Sequence, residues 1–333
     1  MTTIKDIAKK SDVSIGTVSR ILNMDPNLSV SNSTRKRVIQ IAEELNYNTE
    51  KLQKNKKWTK SIAVVTTLSA DEERADEYYR KIWKGIYEAS EQRGVKVTHI
   101  FRLKNLYEPL NVAKFAAVIF VGAIDKNSIH ELYLKNNNLV LIDDHLIQLD
   151  GVDAVSTNFK DKTFELLDEF LRAGYKNIAF VGGQRESMNL HGDFVSVEED
   201  VRSLAYREWM IAHRMAPHIM LTGWQSESGV IATRQLLKST KNIDAILVAS
   251  DPLAVGVLKE IAGQAKNIAV ASFNDVEISQ YLTPALTTVH VPAEEMGRTA
   301  LSQAVERSMS ERKWPTWLLV PAYIVFRDSF SKK

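Results

Sequence analysis

Residues 3–23 read TIKDIAKKSDVSIGTVSRILN, and residues 28–47 continue LSVSNSTRKRVIQIAEELNY. The apolar spacing predicts three short helices sharing one small core. Thr3 stands where a hydroxyl caps a helix, with Asp6 three places on in the first turn, close to a capping box. Ile4, Ile7 and Ala8 then face inward. A second helix starts after Ser14, with Val18 and Leu22 four apart on its buried face and Ile21 beside them. That leaves Ile15, Gly16, Thr17, Ser19, Arg20 and Asn23 facing outward. A third helix after Ser31 places Val38, Ile41, Ala42 and Leu45 at i, i+3, i+4 and i+7, the spacing of a helix laid against a core.

A recognition helix enters the major groove of DNA by its N-terminal end, so its outward residues there must be short enough to approach base edges or phosphates. The segment from Ser14 to Arg20 meets that need. Arg20 is suited to a guanine or a phosphate, and Thr17, Ser19 and Asn23 to either. The charge pattern agrees: residues 1–60 hold 12 Lys+Arg against 6 Asp+Glu, while the remainder holds 31 against 35. The overall net charge of +2 therefore conceals a positive potential concentrated on the helical head. Its bland counterpart is a generic three-helix bundle with a solvated polar face.

With 333 residues the chain has length for two or three cores, and its 25% charged and 44% apolar content is that of a globular protein. It has no cysteine, which excludes a disulfide framework, a thiol nucleophile and a thiolate metal site. Seven histidines are scattered without ligand spacing, so no metal and no cofactor are expected. The N-terminus lacks an apolar signal core, and the longest apolar run, near 115–124, is about half a membrane span. The expected location is cytoplasmic, with no membrane partner.

Segment 48–60, NTEKLQKNKKWTK, reads as a basic linker. From Ser61 onward, β-branched runs alternate with helical ones. Expected strands are 62–66, 95–101, 116–121, 139–142, 178–181, 218–221, 245–249 and 268–272, with helices over 76–93, 127–135, 160–173, 201–213, 227–238 and 253–262. Such alternation implies parallel sheets with right-handed crossovers, and two α/β lobes account for it.

Ligands of open parallel sheets sit beyond the C-terminal strand ends. The polar residues expected there are Asp143 (with Asp144 beside it), Asp251 and Asn274, together with Trp224 and with Arg202 opening a helix after a polar loop. A carboxylate or amide bridges hydroxyls, an arginine donates to sugar oxygens and an indole stacks on a pyranose face, so the set reads as a sugar site. Each has a structural alternative: N-capping for Asp251, which precedes Pro252; core packing for Trp224; a solvated loop for the Asp143–Asp144 pair. Tyr78 and Tyr79 begin the first helix of this region and are candidates for the opposite wall. Rossmann-like alternation leaves an enzyme or a pure sugar-binding protein as alternatives. No G-x-G-x-x-G, Walker loop, H-E-x-x-H or serine elbow supports the enzyme, and the basic head argues against the binding protein.

The head resembles that of the lactose/galactose repressor family. The pattern T-[IL]-x-D-[IV]-A-x-x-x-x-V-S-x-x-T-V-S-R-[IV]-[IL]-N reappears as Thr3, Ile4, Asp6, Ile7, Ala8, Val13, Ser14, Thr17, Val18, Ser19, Arg20, Ile21, Leu22 and Asn23, followed by Val30, Ser31, Thr34, Arg35 and Leu45-Asn46-Tyr47. Asp12 departs from the family's turn glycine, although aspartate tolerates left-handed backbone better than most residues. Beyond position 60 the chain is similar to the family's effector domain, itself like periplasmic sugar-binding proteins, through Phe170-Leu171-x-x-Gly174-x-x-x-Ile178-Ala179-Phe180-x-Gly182-Gly183, Asp251-x-x-Ala254-x-Gly256-x-Leu258, Leu286-Thr287-Thr288-Val289 and Met296-Gly297.

This resemblance implies an α/β chain with a three-helix helix-turn-helix DNA-binding domain over 1–47, a basic hinge over 48–60, and a two-lobed periplasmic-binding-protein-like effector and dimerisation domain over 61–333. Lobe 1 is expected at about 61–158 and 290–320, and lobe 2 at about 159–289 and 321–330. The implied DNA contacts are Thr3, Ser14, Ile15, Gly16, Thr17, Ser19, Arg20, Asn23, Ser31 and Thr34. In the family's hinge P-N-x-x-A-x-x-L a leucine wedges into the minor groove; Thr49, Gln53 and Lys56 replace the proline, alanine and leucine here. Phosphate attraction by Lys54, Lys56 and Lys57 is the expected substitute. The implied effector contacts are Tyr79, Asp143, Arg202, Trp224, Ser250, Asp251 and Asn274. Arg202 occupies the family's R-x-x-G-[FY] position with Ala205 in place of the glycine, and Ser250 and Asn274 stand where relatives often carry Asn and Asp. The implied function is a homodimeric transcriptional regulator, most simply a repressor of a sugar-utilisation operon, on double-stranded DNA with a near-palindromic operator. Its effector is a small sugar, with galactose or a galactoside as the best guess. A global carbon-catabolite regulator acting with a phosphocarrier-protein corepressor is the alternative within the class. No leucine heptad follows the final strand, so no tetramerisation tail is expected.

Overall fold

A computed structural model describes residues 3–22, 28–45, 47, 61–105, 109–143, 149–263, 267–310 and 312–331. Asn23, Lys54, Lys56, Lys57 and Asp144, named above, lie outside the described residues. The chain divides into two compact units, Met1–Trp58 and Thr59–Lys333.

In the first unit, helices α1 (Ile4–Ser11), α2 (Ile15–Leu22) and α3 (Asn32–Glu44) close over Ile7, Ala8, Val18, Ile21, Val38 and Ala42. Ile4, Ile41, Leu22 and Leu45 pack around that core. The backbone N–H and the hydroxyl of Thr3 both donate to Asp6 Oδ2, each at 2.8 Å, which fixes the start of α1. These bonds hold the Asp6 carboxyl below its ordinary pKa, the Thr3 backbone N–H contributing most. Asp12 ends α1 with φ 50° and ψ 47°, the left-handed geometry a glycine would otherwise supply.

The second unit holds two six-stranded sheets. The first lobe runs β1 (Ser61–Thr66), α4 (Ala70–Ala75), α5 (Glu77–Arg93), β2 (Lys96–Arg102), β3 (Ala117–Val121), α6 (Lys126–Lys135), β4 (Leu139–Ile142) and β5 (Asp153–Thr157). The second follows with α7 (Phe159–Arg172), β6 (Ile178–Gly183), β7 (Arg185–Met188), β8 (Phe194–Glu198), α8 (Val201–Ala212), β9 (His218–Thr222), α9 (Ser226–Ser239), β10 (Ala245–Val248), α10 (Asp251–Ile261), β11 (Ala269–Asn274) and β12 (Thr287–His290). Helix α11 (Ala293–Ser308) and β13 (Trp317–Val320) return to the first lobe, and β14 (Tyr323–Val325) ends in the second.

Strand order is β13-β5-β4-β3-β1-β2 in the first lobe, all parallel, and β14-β12-β11-β10-β6-β9 in the second, parallel except for β14. The central strands β3, β4 and β10 are buried along their whole length, as a sheet covered on both faces requires. Helices cross closely in each lobe. A Cβ on Gly85 would meet the Glu294 carbonyl at 1.8 Å, and one on Gly256 would meet the Ser226 carbonyl at 1.9 Å. The chain therefore passes between the sheets after β5, after β12 and after β13. Two of these crossings are laced together, because Ala322 N donates to Asn158 Oδ1 at 2.8 Å and Thr157 Oγ1 to the Val320 carbonyl at 2.7 Å.

The structure departs from the expectation in several segments, including helices α4 and α11 and strands β12, β13 and β14, for which no range was expected. Residues 153–157, too short to show a period, form β5. The stretch before Arg202, expected as a polar loop, is the antiparallel hairpin β7–β8, whose short legs interrupt their alternation with a bulge at Ser187–Met188. Helix α10 begins at Asp251 rather than Leu253, since Pro252 has a φ preset for a first helical turn.

Candidate functional site

The outward face of α2 is built as expected from its spacing. Val18 and Ile21 are buried, whereas Ser14, Ile15, Gly16 and Arg20 are exposed and Thr17 and Ser19 half-buried. Ser14 opens the helix, its Oγ accepting from Thr17 N at 3.0 Å and lying 2.9 Å from Thr17 Oγ1. Ser31 does the same for α3, accepting from Thr34 N at 3.1 Å with Thr34 Oγ1 2.8 Å away. Ser14 and Ser31 thus cap the N-termini of α2 and α3, whereas that of α1 is closed by the Asp6 carboxylate. Ile15, next to Gly16, is 48% exposed, although isoleucine is among the residue types most often buried.

A cavity of about 410 Å³ opens between the two sheets, within the usual size of small-molecule sites. Tyr78, Tyr79, Asp143, Arg202, Trp224, Ser250 and Asn274 all line it. From the first lobe, Tyr78 donates to Asp143 Oδ1 at 2.6 Å. Burial, reinforced by the Asp143 charge, pushes the Tyr78 phenol pKa well above its ordinary value, so this group stays protonated and Asp143 accepts. Tyr79 stands edge-on to Tyr78, ring centroids 5.3 Å apart.

From the second lobe, Arg202 is buried and its fork is largely engaged. Nε and one terminal nitrogen donate to the two oxygens of Asp200 at 2.6 and 2.9 Å, and the other terminal nitrogen donates to the Ala249 carbonyl at 2.7 Å. Its plane lies over Phe159, Trp224 and Phe273, at 4.3, 5.3 and 5.7 Å from the ring centroids. Burial opposes the charge, yet the Asp200 charge and hydrogen bonds hold the guanidinium pKa above its ordinary value. Trp224 is half-buried and serves both wall and core: its ring packs on Gly183, while Nε1 donates to the Gln184 carbonyl at 2.8 Å.

Asn274 is the last residue of β11, and Ser250 stands two residues beyond the end of the adjacent β10. Both side chains are buried, line the cavity, and leave Ser250 Oγ and Asn274 Oδ1 without a hydrogen-bond partner among the described residues. An unsatisfied buried polar atom costs on the order of 1–3 kcal/mol, which a hydroxylated ligand would recover. Asn274 carries φ 110°, a strained geometry that holds the amide at the strand end.

Asp251 corrects the expectation. It neither caps α10, whose N-cap is Ser250, nor reaches the cavity. It is fully buried, and its carboxylate accepts from Val276 N (2.9 Å), Ser279 Oγ (2.7 Å) and Thr288 Oγ1 (2.7 Å), fastening the loop after β11 to β12. Burial outweighs these bonds and raises its pKa from 3.8 to about 6. The sequence reading also missed Asp200, Phe159, Arg185, Glu186 and Met188 of the cavity wall. Only Asp200 left a local signal, standing two residues before Arg202 at a helix N-cap. Among the described residues no His, Asp or Glu group could hold a metal, and no helix is long and apolar enough to cross a membrane.

A basic helix-turn-helix followed by two lobes around a polar, aromatic-walled cavity defines a ligand-responsive DNA-binding regulator. The chain belongs to the lacI family of bacterial regulatory proteins: residues 3–50 match that family, and residues 167–330 match the periplasmic binding protein-like domain. It is 31% identical over 341 residues to the HTH-type transcriptional repressor MelR of Bacillus subtilis (strain 168), covering 99% of this chain and 97% of the relative. It is also 31% identical over 337 residues to the HTH-type transcriptional regulator GalR of Streptococcus thermophilus, covering 99% of both. Family members are transcriptional regulators, not enzymes. The fold is shared with a transcriptional regulator CelR–cellobiose complex (TM-score 0.68, 21% identity, 99% of this chain and 100% of that one). It is likewise shared with the lac repressor dimer bound to operator and the anti-inducer ONPF (TM-score 0.67, 22% identity, 99% of both chains).

Proposed function

We propose that this chain is a homodimeric repressor of a sugar-utilisation operon, released from a near-palindromic operator when a small sugar occupies the cavity. The observation that carries the sugar reading is the pair of buried oxygens of Ser250 and Asn274, unpartnered among the described residues, in a cavity also lined by the Asp143 acceptor and the Trp224 ring. Hydroxyls donate to such oxygens, and the apolar face of a pyranose stacks on an indole. Arg202, neutralised by Asp200, offers its remaining N–H groups to ring or hydroxyl oxygens without strongly favouring an anion. Galactose or a galactoside is the effector we carry forward from the family resemblance. In the head, Gly16, Thr17, Ser19 and Arg20 face the operator, and a dimer presents two such helices to half-sites related by its twofold axis.

Sugar binding alters operator affinity only if the low-affinity arrangement of the lobes binds sugar better. A thermal-shift screen over mono- and disaccharides, followed by operator binding with and without each hit, tests this. A galactoside that raises the melting midpoint and lowers operator affinity is expected. A screen in which no sugar shifts the midpoint and none alters operator affinity sinks the effector assignment.

A further inference from the structure

The hairpin β7–β8 leaves the second lobe directly after β6, yet its tip belongs to the first. Leu190 is buried inside the first lobe's core, among Leu103, Phe120, Ile124 and Ile129. Every other buried member of that cluster comes from the first lobe. Met188 pairs with Ile124 in a parallel bridge, and its carbonyl accepts from Asp125 N at 3.0 Å. Gly192 lies so close to the first lobe that a Cβ there would meet the Leu103 carbonyl at 2.1 Å, and its φ of 83° is one that L side chains rarely adopt. Asn189 holds the tip in shape, its Oδ1 accepting from His191 N (2.9 Å) and Asp193 N (3.0 Å).

The root is anchored as firmly in the second lobe. Gln184 N donates to the Thr222 carbonyl at 2.7 Å, and Trp224 Nε1 donates to the Gln184 carbonyl at 2.8 Å. On the outgoing leg only Arg185, Glu186 and Ser187 lie between these two anchorages, and they are already in strand geometry. A strand rises about 3.3 Å per residue, close to the greatest reach of a chain, so this leg has almost no slack. The lobes cannot separate along the hairpin unless one anchorage breaks. Arg185, Glu186 and Met188 also line the cavity, and Trp224 joins its floor to the hairpin's root.

We propose that the β7–β8 hairpin is a clasp between the lobes: docking of Leu190 and Gly192 limits lobe opening, and an occupant of the cavity strengthens that docking through the clasp's inner wall. The clasp itself needs no ligand; its coupling to the cavity rests on the sugar reading above. Leu190 and Gly192 are positioning residues, since neither lines the cavity.

Two variants of the full chain test the clasp. Leu190→Ser removes the buried anchor, and Gly192→Ala pushes the tip off the Leu103 carbonyl while leaving the core side chains intact. In the absence of sugar, both are expected to speed hydrogen exchange at the Asp125 amide and across residues 185–198, with the native circular dichroism retained. Titration with galactose and with lactose is then expected to give affinities lower by about fivefold or more, the scale of an ordinary coupling between sites. Unchanged exchange in the folded variants overturns the clasp, as does full-strength galactose or lactose binding once the tip is shown to be detached. Should neither sugar bind the parent protein, the galactoside reading falls, and the exchange experiment alone decides the clasp.

Discussion

The face of α2 and the cavity between the lobes are the two proposed recognition surfaces, and they are built in opposite ways. On α2 the outward side chains all lie between Ser14 and Arg20 and stand exposed or half-buried over a core of six buried residues. In the cavity they come from positions 78 to 274, are largely buried, and are fixed by partners from other elements. The first surface depends on a helix being capped and turned outward. The second depends on long-range packing, on buried charge pairing and on a hairpin that belongs to one lobe by sequence and to the other by contact. Damage to the head should therefore abolish DNA binding and spare the second unit, whereas damage to the cavity should reach ligand response and the second unit's stability together.

Asp200→Asn gives the largest expected effect. It leaves the buried Arg202 guanidinium without its bidentate partner, and breaking such a pair costs about 3–5 kcal/mol. A lowered melting midpoint of the second unit and lost sugar response, with operator binding retained, is the expected outcome; an unchanged midpoint would show that the Ala249 carbonyl and the aromatic neighbours suffice to hold Arg202. Ile7→Ala comes next. A core truncation of this kind costs roughly 2–5 kcal/mol, comparable to the whole stability of a head this small. Operator binding should vanish while the main melting transition stays in place, and a parallel loss in both would contradict the independence of the two units.

Asp251 sharpens the comparison through pH. Its pKa rises from 3.8 to about 6 on folding, so the folded state holds a proton that the unfolded state has released. The stabilisation is complete below about pH 4 and is lost as pH rises through about 6, on the order of 2–3 kcal/mol in all. Asp251→Asn should flatten the melting midpoint over that window; an identical slope in parent and variant would remove Asp251 as its source. The smallest effect is expected from Arg20→Ala, about 1–3 kcal/mol of operator discrimination. Competition between operator and scrambled DNA reads it directly, and retained selectivity would move the reading of bases elsewhere on α2.

Part of the candidate site was legible in the chain because strand-helix alternation announces where C-terminal strand ends fall, and Asp143 and Asn274 sit at or just beyond them, whereas Ser250 was implied only by the family resemblance. Asp251 misled because a carboxylate before proline is as good a cap as a ligand by sequence, and only the approach of Val276, Ser279 and Thr288 gives it a third role. The hairpin misled because its docking surface, Leu103 and Ile124, lies more than sixty positions upstream of Leu190, beyond any local pattern.

The sequence by itself determined the three-helix head, the two parallel α/β sheets and the identity of the outward face of α2. Each of these follows from periodicity, capping and turn chemistry within a few residues, the range over which local sterics and hydrogen bonds act. Only the tertiary structure decided that Asp200 pairs with Arg202, that Ser250 and Asn274 line the cavity with oxygens unpartnered among the described residues, and that Leu190 is buried in the opposite lobe's core. Those outcomes depend on which distant groups meet in a water-poor interior, where pairing and packing across the fold, rather than the local order of residues, set the energy.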